Sequence, residues 1–401
     1  MASIVPKEKQ MTLAEKKAML DKAADKINTK AKKIICGRIG RTPEIQDKLN
    51  ITWIPTPSYK INQLTGGGFP KGKFSIICGA EDSGKTSLML ETIAKNMAED
   101  KGFIAVWLES ENSLNLDYII KTFNIDADRF FFIEHEKDGG AETAAEILCA
   151  VLDAGCADIC VINSLKCLVP KTELENSLEK DTIALQARFN SKLIKKFTAT
   201  TQEHDTAFVM ISHLTTLIGT MSRDPLTLSG GRSIRYASML TLDLRKNSVL
   251  DTDPISKEEG MKIKVTCRKN HCICDRYPYG SIEYYVRYGE GVAWELELIQ
   301  AVLDNGFLVQ KGAWVYEVDA NGETVNDERG NALKWNGKNA LRNYILENEE
   351  YRKHLESLVN NTFAIDALEE SEIKAIESDE VDPSSAVSSY DPIEESRKKN
   401  K

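Results

Sequence analysis

The octapeptide Gly79-Ala80-Glu81-Asp82-Ser83-Gly84-Lys85-Thr86 decides the fold. It fits G-x-x-x-x-G-K-[ST]. It follows an apolar run, FSIIC at 74–78, and opens a helical pattern over 87–98. Strand, glycine loop and helix are the context in which this spacing cradles phosphate. Backbone N–H groups of the loop and of the helix N-terminus point at the anion. Lys85 is long enough to reach the terminal phosphates, and the Thr86 hydroxyl is a ligand for Mg²⁺. Gly84 lets the backbone approach without a Cβ clash. Residues 79–86, with Ser87 beside them, are therefore candidate nucleotide-binding residues.

Outward from the loop, short apolar runs alternate with helical patterns. FIAVWL (103–108), ICVI (159–162) and AFVMI (207–211) read as buried strands, and 116–123, 141–154 and 183–200 as helices between them. That alternation predicts a mostly parallel sheet with helices on both faces. Residues 261–290 are two β-rich runs around a Tyr/Pro/Gly turn, an antiparallel extension. A smaller unit follows: a helix at 296–305, an aromatic strand at 313–318, a turn at Asn321-Gly322 and a charged helix over 338–359.

The 401 residues carry a formal net charge of −9, which at first argues against a nucleic-acid partner. The distribution changes that. Residues 366–395 hold eleven Asp/Glu and one Lys and read as a disordered acidic tail with a basic tip, RKKNK. Residues 1–50 hold twelve Lys/Arg against six Asp/Glu, with a basic, modestly amphipathic helix over 12–33. This helix either packs on its own domain or docks on a neighbouring subunit. Four segments are expected: a basic arm (1–50), a nucleotide-binding core (51–292), a small α+β domain (293–362) and the tail (363–401).

No apolar run reaches 18 residues, so no membrane partner is expected. The absence of an apolar leader and the odd number of cysteines, nine, fit reduced thiols in a cytoplasmic setting, of a bacterial cell or of a phage-infected host. Cys267, His271, Cys272 and Cys274 cluster without the spacing of a common zinc motif and read as small packed side chains.

Two acids, Glu109 and Glu111, follow the second strand and compete for the role of water activator. The strand at 159–162 ends in Asn163, where nucleotide-hydrolysing folds usually place a metal-orienting Asp. An amide accepts a hydrogen bond from a metal-bound water but brings no negative charge.

Taken in order, residues of roughly 50–320 resemble the RecA-type DNA recombinases, the phage-encoded, UvsX-like members above all. The phosphate loop GAEDSGKT is similar to the family's version. ESENSLNLDY resembles the segment that supplies a catalytic glutamate and an adenine-stacking tyrosine, which favours Glu111 over Glu109 and marks Tyr118, with Asn115 as an adenine-facing polar residue. INSLKCLVPKTELENSLEKDTIALQAR resembles a strand plus first DNA-binding loop (171–183), implying Ile183 as a base-wedging residue and Arg188 as a phosphate contact. MISHLTTLIGTMSRDPLTLSGGRSIRYAS resembles the sensor strand and second loop (214–229), closed by Gly230 and Gly231. The resemblance implies sensor roles for His213 and Asn163, a wedge role for Ile218, and DNA contacts through Arg223 and Arg232. Arg235 and Lys269 match cations that reach a neighbouring subunit's terminal phosphate; His271 stands where the family tends to have a second lysine. Tyr288 lies in YGEG, similar to the family's base-contacting turn.

The implied fold is α/β, a RecA-like P-loop NTPase core with an N-terminal helix/strand arm and a small α+β C-terminal domain. The implied cofactors are ATP and Mg²⁺. The implied partners are single-stranded DNA, homologous double-stranded DNA, further copies of the chain in a helical filament, and single-strand-binding or loader proteins. The implied activity is DNA-dependent ATP hydrolysis coupled to homologous pairing and strand exchange. Asn163, His271 and the sparse charge of the second loop keep open a slow, structural ATPase, and the core alone is shared with helicase-type motors.

Overall fold

In a computed structural model, the phosphate loop lies between a fully buried strand and a long helix, Lys85–Glu99. The structure describes residues 11–134, 140–164, 168, 170–171, 183–216, 226–228, 232–251, 253–273, 280–319, 321–326 and 329–359. It divides into two compact units between Ala293 and Trp294.

In the first unit, β1 (Trp53–Ile54) and β2 (Phe69–Pro70) form a short antiparallel pair. The main sheet holds β3 (Phe74–Gly79), β4 (Ala105–Glu109), β5 (Phe130–Glu134), β6 (Ile159–Asn163), β7 (Ala207–Thr216), β8 (Leu226–Leu228), β9 (Leu240–Asn247), β10 (Gly260–Asn270), β11 (Ser281–Arg287) and β12 (Gly291–Val292). Their order is β12-β11-β10-β9-β3-β7-β6-β4-β5, with β8 paired to β7. From β9 to β5 the pairings are parallel; β10 to β12 add on antiparallel, as the 261–290 pattern predicts. Helices Lys85–Glu99, Gly140–Asp153 and Ile183–Glu203 fall on the predicted helical patterns. The core packs Phe74, Ile76, Val106, Leu108, Cys160, Ile162, Phe208 and Met210 against Leu148, Leu193, Ile194 and Phe197. Each large apolar side chain buried there contributes about 1.5–3 kcal/mol.

Several elements escape the hydrophobic pattern. Strand β9 reads LTLDLRKN, an apolar–polar alternation that normally marks a half-exposed strand. Here both faces are buried: Asp243 is 2% exposed. It is accommodated because Arg245 and Arg268 reach it at 2.9 and 2.7 Å. The predicted strand 103–108 starts at Ala105, and residues 116–123 contain a π-helical turn, Tyr118–Thr122.

The first helix, Leu13–Ala31, begins in a capping box between Thr12 and Glu15 and ends at Lys32 in the left-handed region. None of its residues is buried; Leu13, Met19, Leu20 and Ile27 are exposed. Its connection to helix Pro43–Leu49 is held by Asp21, which receives Arg38 at 2.7 Å and Arg41 at 2.6 Å.

The second unit has a three-stranded antiparallel sheet, β13 (Leu308–Lys311), β14 (Trp314–Glu317) and β15 (Lys334–Asn336), with helices Trp294–Asp304 and Gly337–Glu347. The helix predicted over 338–359 breaks at Asn348, whose Oδ1 accepts the Tyr351 N–H at 3.0 Å and caps a further helix over 349–359. Buried Glu317 accepts Tyr351 Oη–H at 2.7 Å and pairs with His354 Nε2 at 2.9 Å. Trp335 packs against the rings of Tyr344 and Tyr351. No helix among the described residues is long and apolar enough to cross a membrane.

Candidate functional site

The register of the parallel strands assembles the site. Gly79 at the end of β3 pairs with His213 of β7, Asn163 of β6 with Ile211 of β7, and Glu109 of β4 with Asn163. Four neighbouring strands therefore deliver their C-terminal ends to one edge, where ligands of open α/β sheets bind. A cavity of ≈ 460 Å³ opens there. It is lined by Glu81, Asp82, Ser83, Gly84, Lys85, Thr86, Ser87, Glu111, Ser113, Leu114, Asn115, Tyr118, Asn163, Ile211 and His213.

The loop is held tightly. A Cβ at Gly79 would meet the Leu244 carbonyl oxygen at 2.3 Å. Gly84 has φ +81°, and a Cβ there would meet Ile263 at 2.7 Å. Lys85 Nζ donates to the carbonyl oxygens of Ala80 (2.6 Å) and Gly79 (3.3 Å) and to Ser83 Oγ (3.4 Å). Burial holds its ammonium below the usual lysine value, opposed by the negative charge of Glu111 and, more weakly, of Glu81 and Asp82. A polyanion in the cavity would relieve that strain on the charged form.

The two competing acids occupy different worlds. Glu109 is 2% exposed and does not line the cavity. Its oxygens accept from Trp107 Nε1 (2.9 Å), the Glu111 N–H (2.9 Å), Ser113 and Asn163 Nδ2. Glu111 lines the cavity; its Oε1 accepts from Ser164 Oγ and lies 2.9 Å from His213 Nε2. Ser110 and Ser164, which the motif reading passes over, lace the ends of β4 and β6 together through Ser110 Oγ. Their only signal in the sequence is adjacency to the strand ends.

At the other end of the cavity, the Tyr118 hydroxyl is 3.2 Å from Ser87 Oγ, and the Tyr118 N–H donates to Asn115 Oδ1 at 2.8 Å. The Tyr118 ring is set edge-on to Phe123.

Other predicted residues lie elsewhere. Tyr288 is exposed and does not line the cavity. Gly79 and Ala80 serve through their carbonyl oxygens, as acceptors for Lys85. Lys269 Nζ donates to the carbonyl oxygens of Arg235, Tyr236 and Ser238, so within this subunit it closes the C-terminal end of helix Arg232–Ala237. Burial lowers its pKa, with the Arg235 charge adding to the effect. Arg235 and Arg188 are exposed. Ile218, Arg223, Gly230, Gly231, Cys274, residues 172–182 and the tail lie outside the described residues, as do the side chains of Ile183 and Arg232. Among the described residues no cluster of His, Cys, Asp or Glu could hold a metal. Burial pushes the Cys78 thiol up to about 12 and the Cys267 thiol up to about 11, as expected of packed, unreactive cysteines.

Fold and cavity together define a P-loop nucleotide-binding protein of the α/β class, with a glutamate and a histidine facing the phosphate loop. The RecA N-terminal domain family matches residues 18–293. The RecA protein of Aquifex aeolicus is 30% identical over 339 residues, covering 84% of this chain and 90% of its own length. That of Rhodococcus opacus is 31% identical over 321 residues, covering 79% and 85%. That of Leptospira biflexa is 29% identical over 373 residues, covering 91% and 89%. The chain belongs to the RecA family, whose members are DNA recombination and repair proteins that bind ATP and DNA.

Proposed function

We propose that this chain is an ATP-dependent DNA recombinase. It assembles as a helical filament on single-stranded DNA, pairs that strand with homologous duplex and exchanges strands, hydrolysing ATP in a DNA-stimulated way. The observation that carries the reading is the contact between Glu111 and His213 opposite Lys85 and Thr86. His213 sits on β7, the strand that leads directly into the segment resembling the second DNA-binding loop.

The residues fit ATP with Mg²⁺. The glycine cradle leaves no room for a Cβ, Thr86 offers a hydroxyl at the wall, and the buried Asn163 Oδ1 has no hydrogen-bond partner. Bound Mg²⁺ would neutralise charge on the phosphates. Lys85 turns from the loop carbonyls to the phosphate oxygens. Glu111 takes a proton from the attacking water, a role Glu109 cannot fill because its oxygens are already occupied. Tyr118 stacks on the base and Asn115 orients it. Arg235 and Lys269 act across the subunit boundary on the transferring phosphoryl group. For Lys269 this means leaving the three carbonyls it now holds.

DNA is held by the segments around Ile183, Arg188, Ile218, Arg223 and Gly230 to Arg232. Self-assembly is supported by two apolar surfaces that one subunit leaves open. One is the exposed face of the first helix and the other is edge strand β5, with Phe131 and Phe132 exposed. A filament needs two different, complementary patches.

The test is ATP turnover measured with and without single-stranded DNA, with the products imaged. DNA-stimulated turnover and helical filaments are expected; the absence of filaments with ATP and DNA refutes the proposal. Filaments without turnover select the slow, structural ATPase that Asn163 and His271 motivate. Removing residues 366–401 is expected to tighten DNA binding at low salt, if the acidic tail competes for the basic surface.

A further inference from the structure

Asn163 stands where a carboxylate is usual, and its neighbour explains why. Glu109 and Asn163 are cross-strand partners in the β4–β6 register, and both are buried. A carboxylate only accepts hydrogen bonds, so the Asn163 amide must turn its nitrogen toward Glu109. Nδ2 donates to Glu109 Oε2 at 3.0 Å, with Oε1 at 3.3 Å, and to Ser113 Oγ at 3.1 Å. Both N–H bonds are thereby used. Oδ1 is left buried and without a partner on a residue that lines the nucleotide cavity. A flipped amide would bring Oδ1 against the carboxylate and forfeit the bonding to Glu109.

We propose that Glu109 is a positioning residue: it carries, one strand away, the negative charge that Asn163 lacks, and locks the Asn163 amide with its oxygen toward the hydrated metal of the nucleotide. The two residues form one unit. An aspartate at 163 would set two carboxylates about 3 Å apart in a buried site, which disfavours ionising both. Restoring the usual residue is therefore harmful here unless Glu109 is neutralised too.

The inference rests on the ATP-binding reading, and the test separates the two. Melting temperature, ATP affinity with Mg²⁺ and ATP affinity in EDTA are measured for the wild type, Glu109→Gln, Asn163→Asp and the double variant. Asn163→Asp is expected to melt lower than the wild type and to bind ATP with Mg²⁺ roughly tenfold more weakly. Adding Glu109→Gln to it should restore both. Glu109→Gln alone should shrink the Mg²⁺ enhancement of affinity roughly tenfold, because the amide at 163 loses its fixed orientation. An Asn163→Asp variant that melts no lower and binds tighter overturns the proposal, as does a double variant no better than Asn163→Asp. A wild type that binds no ATP sinks the nucleotide reading, and the melting temperatures then still decide the pairing.

Discussion

Each unit of the chain buries a carboxylate among aromatic and polar side chains, and the two clusters end differently. In the small C-terminal unit, Glu317 faces Tyr351 and His354, and the rings of Trp335, Tyr344 and Tyr351 close over one another. Both Glu317 oxygens have a partner within the cluster, Tyr351 on Oε2 and the half-exposed His354 on Oε1. In the first unit, Glu109 gathers Trp107, Ser113 and Asn163, and that network stops at a cavity wall with Asn163 Oδ1 unpaired. A buried polar cluster that satisfies itself holds a fold together; one left an acceptor short at a cavity is set for a ligand.

The sharpest way to break this comparison is at Lys85. Lys85→Ala should weaken ATP binding by roughly 10³-fold, about 4 kcal/mol, and abolish nucleotide-dependent DNA binding while the chain still folds. Equilibrium dialysis with labelled nucleotide checks it, and unchanged binding removes the cavity from the argument. Next is Glu317→Ala, which leaves Tyr351 and His354 facing a void and should destabilise the second unit by about 3 kcal/mol in chemical denaturation. ATP affinity should stay where it was. Glu111→Gln should reduce turnover on the order of 10²-fold with nucleotide affinity and melting temperature nearly unchanged. A variant equally slow at Glu109 but normal at Glu111 would reverse the assignment of the two acids.

A smaller effect tests burial without chemistry. The Glu91 carboxyl is enclosed: Oε2 accepts the Val292 N–H at 2.7 Å and Oε1 is buried without a partner. Burial pushes its pKa from 4.5 to about 7. The folded state thus holds its proton more tightly than the unfolded one, and stability falls as pH rises from 4.5 to 7. Glu91→Gln should remove that loss, gaining about 3 kcal/mol relative to wild type at pH 8 and little at pH 4.5. Melting curves across that range decide it, and a constant difference would show that Glu91 is ionised throughout.

Much of the phosphate end was legible because motif and context coincide. Gly79 to Thr86 needed only the flanking strand and helix, and the strands at 74–78, 159–162 and 207–211 are apolar runs that have no other home. Strand β9 was illegible because its burial depends on ion pairing of Asp243 with Arg268, a residue 25 positions away. Composition left Glu109 and Glu111 equal, and resemblance alone ranked them. What parts them physically is the end of β4: residue 109 is its last member, paired with residue 163 inside the sheet, while residue 111 lies past the strand end and lines the cavity. The break at Asn348 was hidden because an Asn in a charged helical stretch carries no mark of capping until its side chain is seen on Tyr351.

The hydrogen bond between Glu111 and His213 has a thermodynamic corollary. It ties a carboxylate of the cavity wall to strand β7, and on the proposed reading, in which that strand leads into a DNA-binding segment, the two ligands would share one equilibrium. Reciprocity then governs the pair: by whatever factor ATP tightens the hold on DNA, DNA must tighten the hold on ATP. In a filament of the proposed kind, capture of the strand would favour nucleotide binding, and hydrolysis would be the way to let the strand go.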